Sequence, residues 1–170
     1  GGVGKTTLAK VVYNDCRVQQ HFELIMWLCV TDDFSVSGLV RSIVELATKK
    51  PCLLTDRIEL LHSYLLEVVG QKRYLLVLDD VWNEEEQKWE DLRPLLCSAG
   101  APGRVVIVTT RSEQVASIMG TLPSHMISYL NQDDSWELFR KKAFCREEDE
   151  QPKLVEIGKC IVKKCKGLPL

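Results

Sequence analysis

Three short stretches of this chain hold residue types able to do chemistry, and they lie far apart. The first is "GGVGKTT" at 1–7. Gly1, Gly2 and Gly4 have no Cβ, so backbone N–H groups around Val3 can converge on an anion without clashes. Lys5 brings a positive charge to the same place. Thr6 offers a hydroxyl oxygen, a donor suited to Mg2+. Thr7 opens a helical pattern whose N-terminal end attracts the same anion. These residues match the latter part of G-x-x-x-x-G-K-[ST], the loop that cradles nucleotide phosphates. Counted back from Gly4, the first glycine of that pattern falls just upstream of residue 1.

The second stretch is Asp79–Asp80, directly after the apolar run "YLLVL" at 74–78. Mg2+ takes carboxylate oxygen as well as phosphate oxygen, and open α/β sheets bind ligands at the C-terminal ends of their strands. Asp79 therefore reads as the metal ligand partnering Thr6, acting through water. Asp80 reads as the group that orients or deprotonates the water attacking a γ-phosphate. The third stretch is "TTR" at 109–111, which ends another apolar run. There Arg111 would sense a γ-phosphate. Alone, each has a plainer explanation: a glycine turn, a solvated acidic pair, a surface arginine. Three convergent pieces favour the nucleotide. The expected catalytic groups are Lys5, Asp80 and Arg111; the expected nucleotide contacts are Gly1, Gly2, Val3, Gly4, Lys5, Thr6, Thr7 and Arg111. The expected metal ligands are Thr6 and Asp79. Positioning and charge stabilisation suffice for slow, Mg-dependent ATP hydrolysis.

Such groups need elements to carry them. Residues 8–16 predict a helix following the glycine loop. "LIMWLCV" at 24–30 has strand length. Val36, Leu39, Val40, Ile43, Val44 and Ala47 recur at steps of three and four, which predicts an amphipathic helix. Another helix is expected over 56–69, ending at Gly70. The unbroken apolar run 74–78 suits a parallel strand covered on both faces. A short helix begun or bent at Pro94, a turn at "GAPG", a strand at 104–110 and a helix capped by Ser112 follow. "HMISYL" is expected to be a last strand. From Asn131 the pattern becomes helix and loop: a helix capped by Asp134 with Glu137 in a capping box, then one carrying Leu154, Ile157, Ile161, Val162 and Cys165, stopped at Gly167. The expectation is an α/β nucleotide-binding domain over 1–130 and the start of a helical subdomain over 131–170.

Composition sets the bounds. The 170 residues are 45% apolar and 27% charged, with a net charge of −2, which gives no electrostatic reason to expect nucleic acid as a partner. No apolar run approaches a membrane span, so stable membrane insertion is not expected. Seven cysteines, with no C-x-x-C pair, read as reduced and mostly buried thiols of a cytoplasmic protein. The histidines His21, His62 and His125 show no triad or metal spacing, and the four tryptophans read as core and interface residues.

Taken in order, the blocks resemble the NB-ARC domain of plant nucleotide-binding leucine-rich-repeat disease-resistance proteins. "GGVGKTTLA", "FELIMWLCVTDDF", "YLLVLDDVW", "GRVVIVTTR", "YLNQDDSWELFRKKAF" and "GLPL" follow one another as that family's motifs do. Trp82 after the aspartate pair is similar to the coiled-coil-headed branch. The resemblance implies a P-loop NTPase fold lacking its first strand, followed by the start of the ARC region. It further implies that Pro169 packs on the adenine of ADP. The implied activity is a switch: ADP-bound at rest, ATP-bound when active, reset by hydrolysis, acting in the defense response. The implied partners are a coiled-coil head, leucine-rich repeats and, indirectly, a pathogen effector or guarded host protein, with self-association on activation left open. Because the chain starts within the loop and stops at "GLPL", it is expected to bind ADP poorly when made alone. Two other classes compete. A small-molecule kinase would need an acceptor pocket and an Arg-rich lid, and the dense charge run at 146–150 is mostly acidic. A related bacterial or animal signalling ATPase is disfavoured by the Trp82 block and "SWELF".

Overall fold

The computed structural model describes residues 2–30, 34–144 and 150–169. They form two compact units: one of Thr6–Ser124, the other of Gly1–Lys5 with His125–Leu170.

The larger unit is built on a parallel sheet of three strands, β1 (Leu24–Cys29), β2 (Tyr74–Val81) and β3 (Val105–Thr110), in the order β1-β2-β3. Central β2 is buried along almost its whole length, which explains its unbroken apolar sequence. Strand side chains alternate between faces. Leu75 and Val77 face one layer, where they pack with Ala9 of α1 (Lys5–Asn14) and with Val18 and Phe22 at α2 (Cys16–His21). Tyr74, Leu76 and Leu78 face the other and larger core. That core also takes residues of α3 (Val36–Thr48), α4 (Ile58–Val69), α5 (Glu86–Ser98) and α6 (Glu113–Met119). Each fully buried Leu or Val contributes roughly 1.5–3 kcal/mol relative to exposure, so β2 is the mechanical centre of this unit.

Helices α3 and α6 form where the sequence places them. Ser35 caps α3 by accepting the Gly38 N–H at 3.0 Å, and Ser112 caps α6 by accepting that of Val115. The helix expected over 8–16 begins earlier, at Lys5, and breaks at Asp15, whose side chain caps α2. Pro94 does not begin the helix; it sits inside α5. It lies on the exposed face, where the carbonyl it leaves unpaired can meet water. Meanwhile Trp89, Leu92 and Leu96 hold the opposite face in the core.

In the smaller unit α7 (Gln132–Ala143) packs on α8 (Pro152–Cys165). Asn131, not Asp134, is the cap of α7. Its Oδ1 accepts the Asp134 N–H and its Nδ2 donates to the Asp134 carboxylate, both at 2.8 Å. The cap thus begins three residues earlier than expected, and its second bond joins the two side chains instead of reaching the Asn131 backbone N–H as a capping box does. The buried face of α8 is also rotated from the expected one. Gly158 and Val162 are buried, whereas Leu154, Ile157 and Ile161 are exposed. The cause is Gly158, whose missing Cβ admits the rings of Trp136 and Phe139.

"HMISYL" is not a strand. Its Leu130 N–H donates instead to the Gly167 carbonyl at 2.9 Å, in the turn that ends α8. The cysteines are a further correction: of the six described, Cys16, Cys29, Cys97 and Cys160 are exposed and only Cys52 is buried. They occupy outward helix faces and a strand end, positions that an apolar neighbourhood in sequence does not distinguish. Cys145 lies outside the described residues.

Candidate functional site

The larger unit brings two hydroxyl side chains, Thr6 and Thr109, onto one carboxylate, that of Asp79. Asp79 is odd-numbered, like Leu75 and Val77, so the strand alternation aims it at the α1 side of the sheet. Thr6, in the first turn of α1, donates its hydroxyl to Asp79 Oδ1 at 2.9 Å across 73 residues of sequence. Thr109, near the end of β3, donates to the same oxygen at 2.5 Å. Asp79 is 5% exposed, and these bonds are what make a buried carboxylate tolerable there. Two hydroxyls on one carboxylate oxygen form a hard-oxygen cluster, the donor type Mg2+ takes. Thr6 and Asp79 therefore fit the expected metal ligands. Among the described residues no group of three or more His, Cys, Asp or Glu side chains is placed to hold a metal by itself.

The aspartates stand inside β2 rather than beyond its end, and the strand is irregular between them. Leu78 pairs with Val108 and Val81 with Thr110. Three steps on β2 thus match two on β3, which is the signature of a bulge. The extra residue is Asp80, at φ 55°. This left-handed conformation is rare outside glycine but tolerated by Asp and Asn. Thr109 fixes it: its Oγ1 accepts the Asp80 N–H at 2.9 Å. The bulge also resets the alternation. Val81, odd-numbered, turns into the larger core with Leu78, while Asp79 keeps the α1 side.

Past the bulge stands a second constellation. Arg111 follows β3, half-exposed, with its Nε 3.5 Å from Asp80 Oδ1. Its guanidinium carbon lies 4.4 Å from the ring centroid of Trp82. Trp82 is 46% exposed, unlike the fully buried Trp89, so of the core and interface roles expected for the tryptophans, Trp82 does not take the core one.

In the smaller unit Gly2 and Gly4 lie beside Leu168 and Pro169. Gly2 and Gly4 have φ of 80° and 98°. A Cβ on Gly2 would sit 3.4 Å from Leu168, and one on Gly4 would sit 4.0 Å from Pro169. Pro169 is thus next to the loop itself, which its position after a helix stop did not require. Val3 lies in the bend before α1, Lys5 begins that helix, and Thr7 is exposed on its first turn. Gly1 lies outside the described residues.

Sequence reasoning missed Thr109 and Trp82. Thr109 carried no signal beyond being a polar residue closing an apolar strand. Trp82 carried one, an aromatic ring two residues beyond the acidic pair.

Comparison with known proteins gives a consistent answer. The sequence signature of the NB-ARC domain matches residues 1–149. The chain is 51% identical over 170 residues to the disease resistance protein RGA2 of Solanum bulbocastanum, covering 100% of this chain and 17% of that protein. It is 38% identical over 174 residues to the disease resistance RPP13-like protein 4 of Arabidopsis thaliana, covering 100% of this chain and 20% of that protein. It is 34% identical over 177 residues to the disease resistance protein RPP13 of the same plant, with 100% and 21% covered. The chain thus spans about a fifth or less of the length of these relatives. With the ordered motifs, the parallel sheet and this match over most of its length, the chain belongs to the NB-ARC domain family, the P-loop nucleotide-binding domain of plant disease-resistance proteins.

Proposed function

We propose that this chain is the nucleotide-binding switch module of a plant immune receptor acting in the defense response, with ADP at rest and ATP when active. The observation that carries this reading is the 2.9 Å bond between Thr6 and Asp79, which joins the helix after the glycine loop to the acidic pair. In this role the backbone of Gly1, Gly2, Val3 and Gly4 surrounds the phosphates, and Lys5 and the helix start at Thr7 supply positive potential. Thr6 and Asp79 hold Mg2+, which neutralises charge on the β- and γ-phosphates. Asp80 orients the attacking water or takes its proton, and Arg111 reads the γ-phosphate. Pro169, beside the loop, offers an apolar surface to the adenine.

Each nucleotide shifts the resting and active states only by its differential affinity for them. Residues that touch the γ-phosphate are therefore the ones able to make the switch. Slow hydrolysis serves to reset it. The proposed boundary between the nucleotide-binding part and the helical ARC region lies near residue 130, and the proposed location is the cytoplasm. Among the described residues no helix is long and apolar enough to cross a membrane.

The test is a titration with fluorescent ADP, with and without Mg2+. It uses the chain itself and a chimera carrying it in place of the aligned segment of the RGA2 relative. Saturable binding is expected, weak in the chain and stronger in the chimera, and lost on Lys5→Ala. Thr6→Ala is expected to remove the Mg2+ dependence. Failure of both proteins to bind, or binding indifferent to Lys5→Ala, would refute the proposal.

A further inference from the structure

Arg111 rests on Trp82, and the chain spends several contacts on keeping Trp82 there. The bulge at Asp80 sets Val81 opposite Thr110, so the next residues of the two strands, Trp82 and Arg111, come out side by side. The turn after Trp82 is then fastened to the core. The Asn83 carbonyl accepts the indole N–H of buried Trp89 at 2.8 Å, and Asn83 Oδ1 accepts the Glu85 N–H at 2.9 Å. Glu84 accepts the Ser112 hydroxyl at 2.6 Å, one residue beyond Arg111. The two segments are thus tied on both sides of the indole–guanidinium contact. By contrast, the bond from Arg111 to Asp80 is long, made through Nε, and exposed at both ends. Such pairs are weak and easily exchanged. A guanidinium lying over an aromatic ring keeps its N–H edges free for oxygen acceptors.

We propose that Trp82 is the positioning residue for Arg111. The indole face carries the guanidinium while its N–H edge exchanges the Asp80 carboxylate, its partner here, for the terminal phosphate of a nucleoside triphosphate. Trp82 thereby contributes to telling triphosphate from diphosphate without touching either. This rests on the nucleotide-binding role proposed above for Arg111.

The experiment measures one ratio in the chain and in the RGA2 chimera: the dissociation constant for Mg-ADP divided by that for a non-hydrolysable Mg-ATP analogue. Arg111→Ala sets the full loss of discrimination. Trp82→Leu is expected to lower the ratio by roughly three- to fivefold, the size of an exposed cation–π contact. Trp82→Phe, which keeps a ring, is expected to stay within about twofold of the original. Trp82→Leu combined with Arg111→Ala is expected to match Arg111→Ala alone, because the tryptophan acts only through the arginine. Melting curves confirm that the variants are folded. A ratio unchanged by Trp82→Leu but lowered by Arg111→Ala would overturn the inference and leave the nucleotide-binding reading standing. So would a fully additive double variant, or a Trp82→Phe as defective as Trp82→Leu. Absence of nucleotide binding, or a ratio indifferent to Arg111→Ala, would instead remove the reading beneath it, and the inference with it.

Discussion

Thr109 donates its hydroxyl to Asp79 at 2.5 Å, and the same oxygen accepts the N–H of Asp80 at 2.9 Å. One side chain thus sets both the rotamer of the metal-ligand candidate and the backbone of its neighbour. Thr109→Val keeps the shape and removes both bonds. A buried carboxylate then loses a donor, and a backbone N–H at a bulge loses its acceptor. The expected cost is about 1–3 kcal/mol, read as a lower urea midpoint with an unchanged slope. Mg-dependent nucleotide binding should weaken as well. Thr109→Ser, which retains the hydroxyl, should recover most of both losses; if it behaves like valine, the bonds are not what Thr109 contributes.

Asp80 supplies a second test, because its backbone and its charge can be separated. Its φ of 55° penalises side chains branched at Cβ and is tolerated by Asn and Gly. Asp80→Val should therefore destabilise the larger unit by about 1–2 kcal/mol. Asp80→Asn should cost less than about 1 kcal/mol, since it loses only an exposed ion pair. Denaturation curves of the two variants decide this. Equal stability would mean that the bulge relaxes freely and does not fix the register of Trp82.

What the sequence disclosed and what it hid divide along a physical line. Strand β2 was legible because burial on both faces forces an unbroken apolar run. Its acidic pair was legible only beside the glycine loop, since carboxylates at a strand end are by themselves no more than a solvated pair. The bulge between them was not, since nothing local requires Asp80 to be left-handed; the requirement comes from Thr109 on another strand. Helix α3 presented its buried face as a clean period. Helix α8 did not, because a glycine has no hydropathy to mark it, yet Gly158 decides the docking face. "HMISYL" has strand-like composition, but its Leu130 N–H finds a partner in the turn after α8. Composition cannot report which acceptor is available.

Gly158 can be tested directly within the smaller unit. A Cβ there would lie 2.7 Å from Phe139 and 3.0 Å from Trp136, whose rings stack at 5.9 Å. Gly158→Ala forces the helices apart or the rings out of place, and Gly158→Val does so more severely. The expected overpacking cost is about 1–3 kcal/mol, partly offset for alanine by its better helix propensity. Near-ultraviolet circular dichroism should lose the signal of the Trp136–Phe139 pair. A Gly158→Val variant with the original spectrum and melting point would show that α7 and α8 do not pack as described.

Tyr74 offers a test at alkaline pH. Its ring is buried in the larger core, and its hydroxyl donates to the Leu96 carbonyl at 2.9 Å. That carbonyl lies in the last turn of α5, where helices leave acceptors unpaired. Burial disfavours the phenolate and pushes the pKa up from 10.0 to about 12, with Arg104 opposing the change. The folded state thus holds this proton more tightly than the unfolded one. The contribution is complete below pH 10 and is lost as pH rises towards 12, with a limiting slope of about 1.4 kcal/mol per pH unit. Lysines and cysteines titrate in the same range, so the readout is the difference between the original chain and Tyr74→Phe. The variant should be less stable at neutral pH by about 1 kcal/mol, because the Leu96 carbonyl loses its donor. That deficit should shrink, and then reverse, as pH climbs through the window, while absorbance of the original chain at 295 nm reports the late ionisation of Tyr74. A deficit that stays constant from pH 9 to 12 would mean that Tyr74 ionises like an exposed phenol and that this part of the core is open to water.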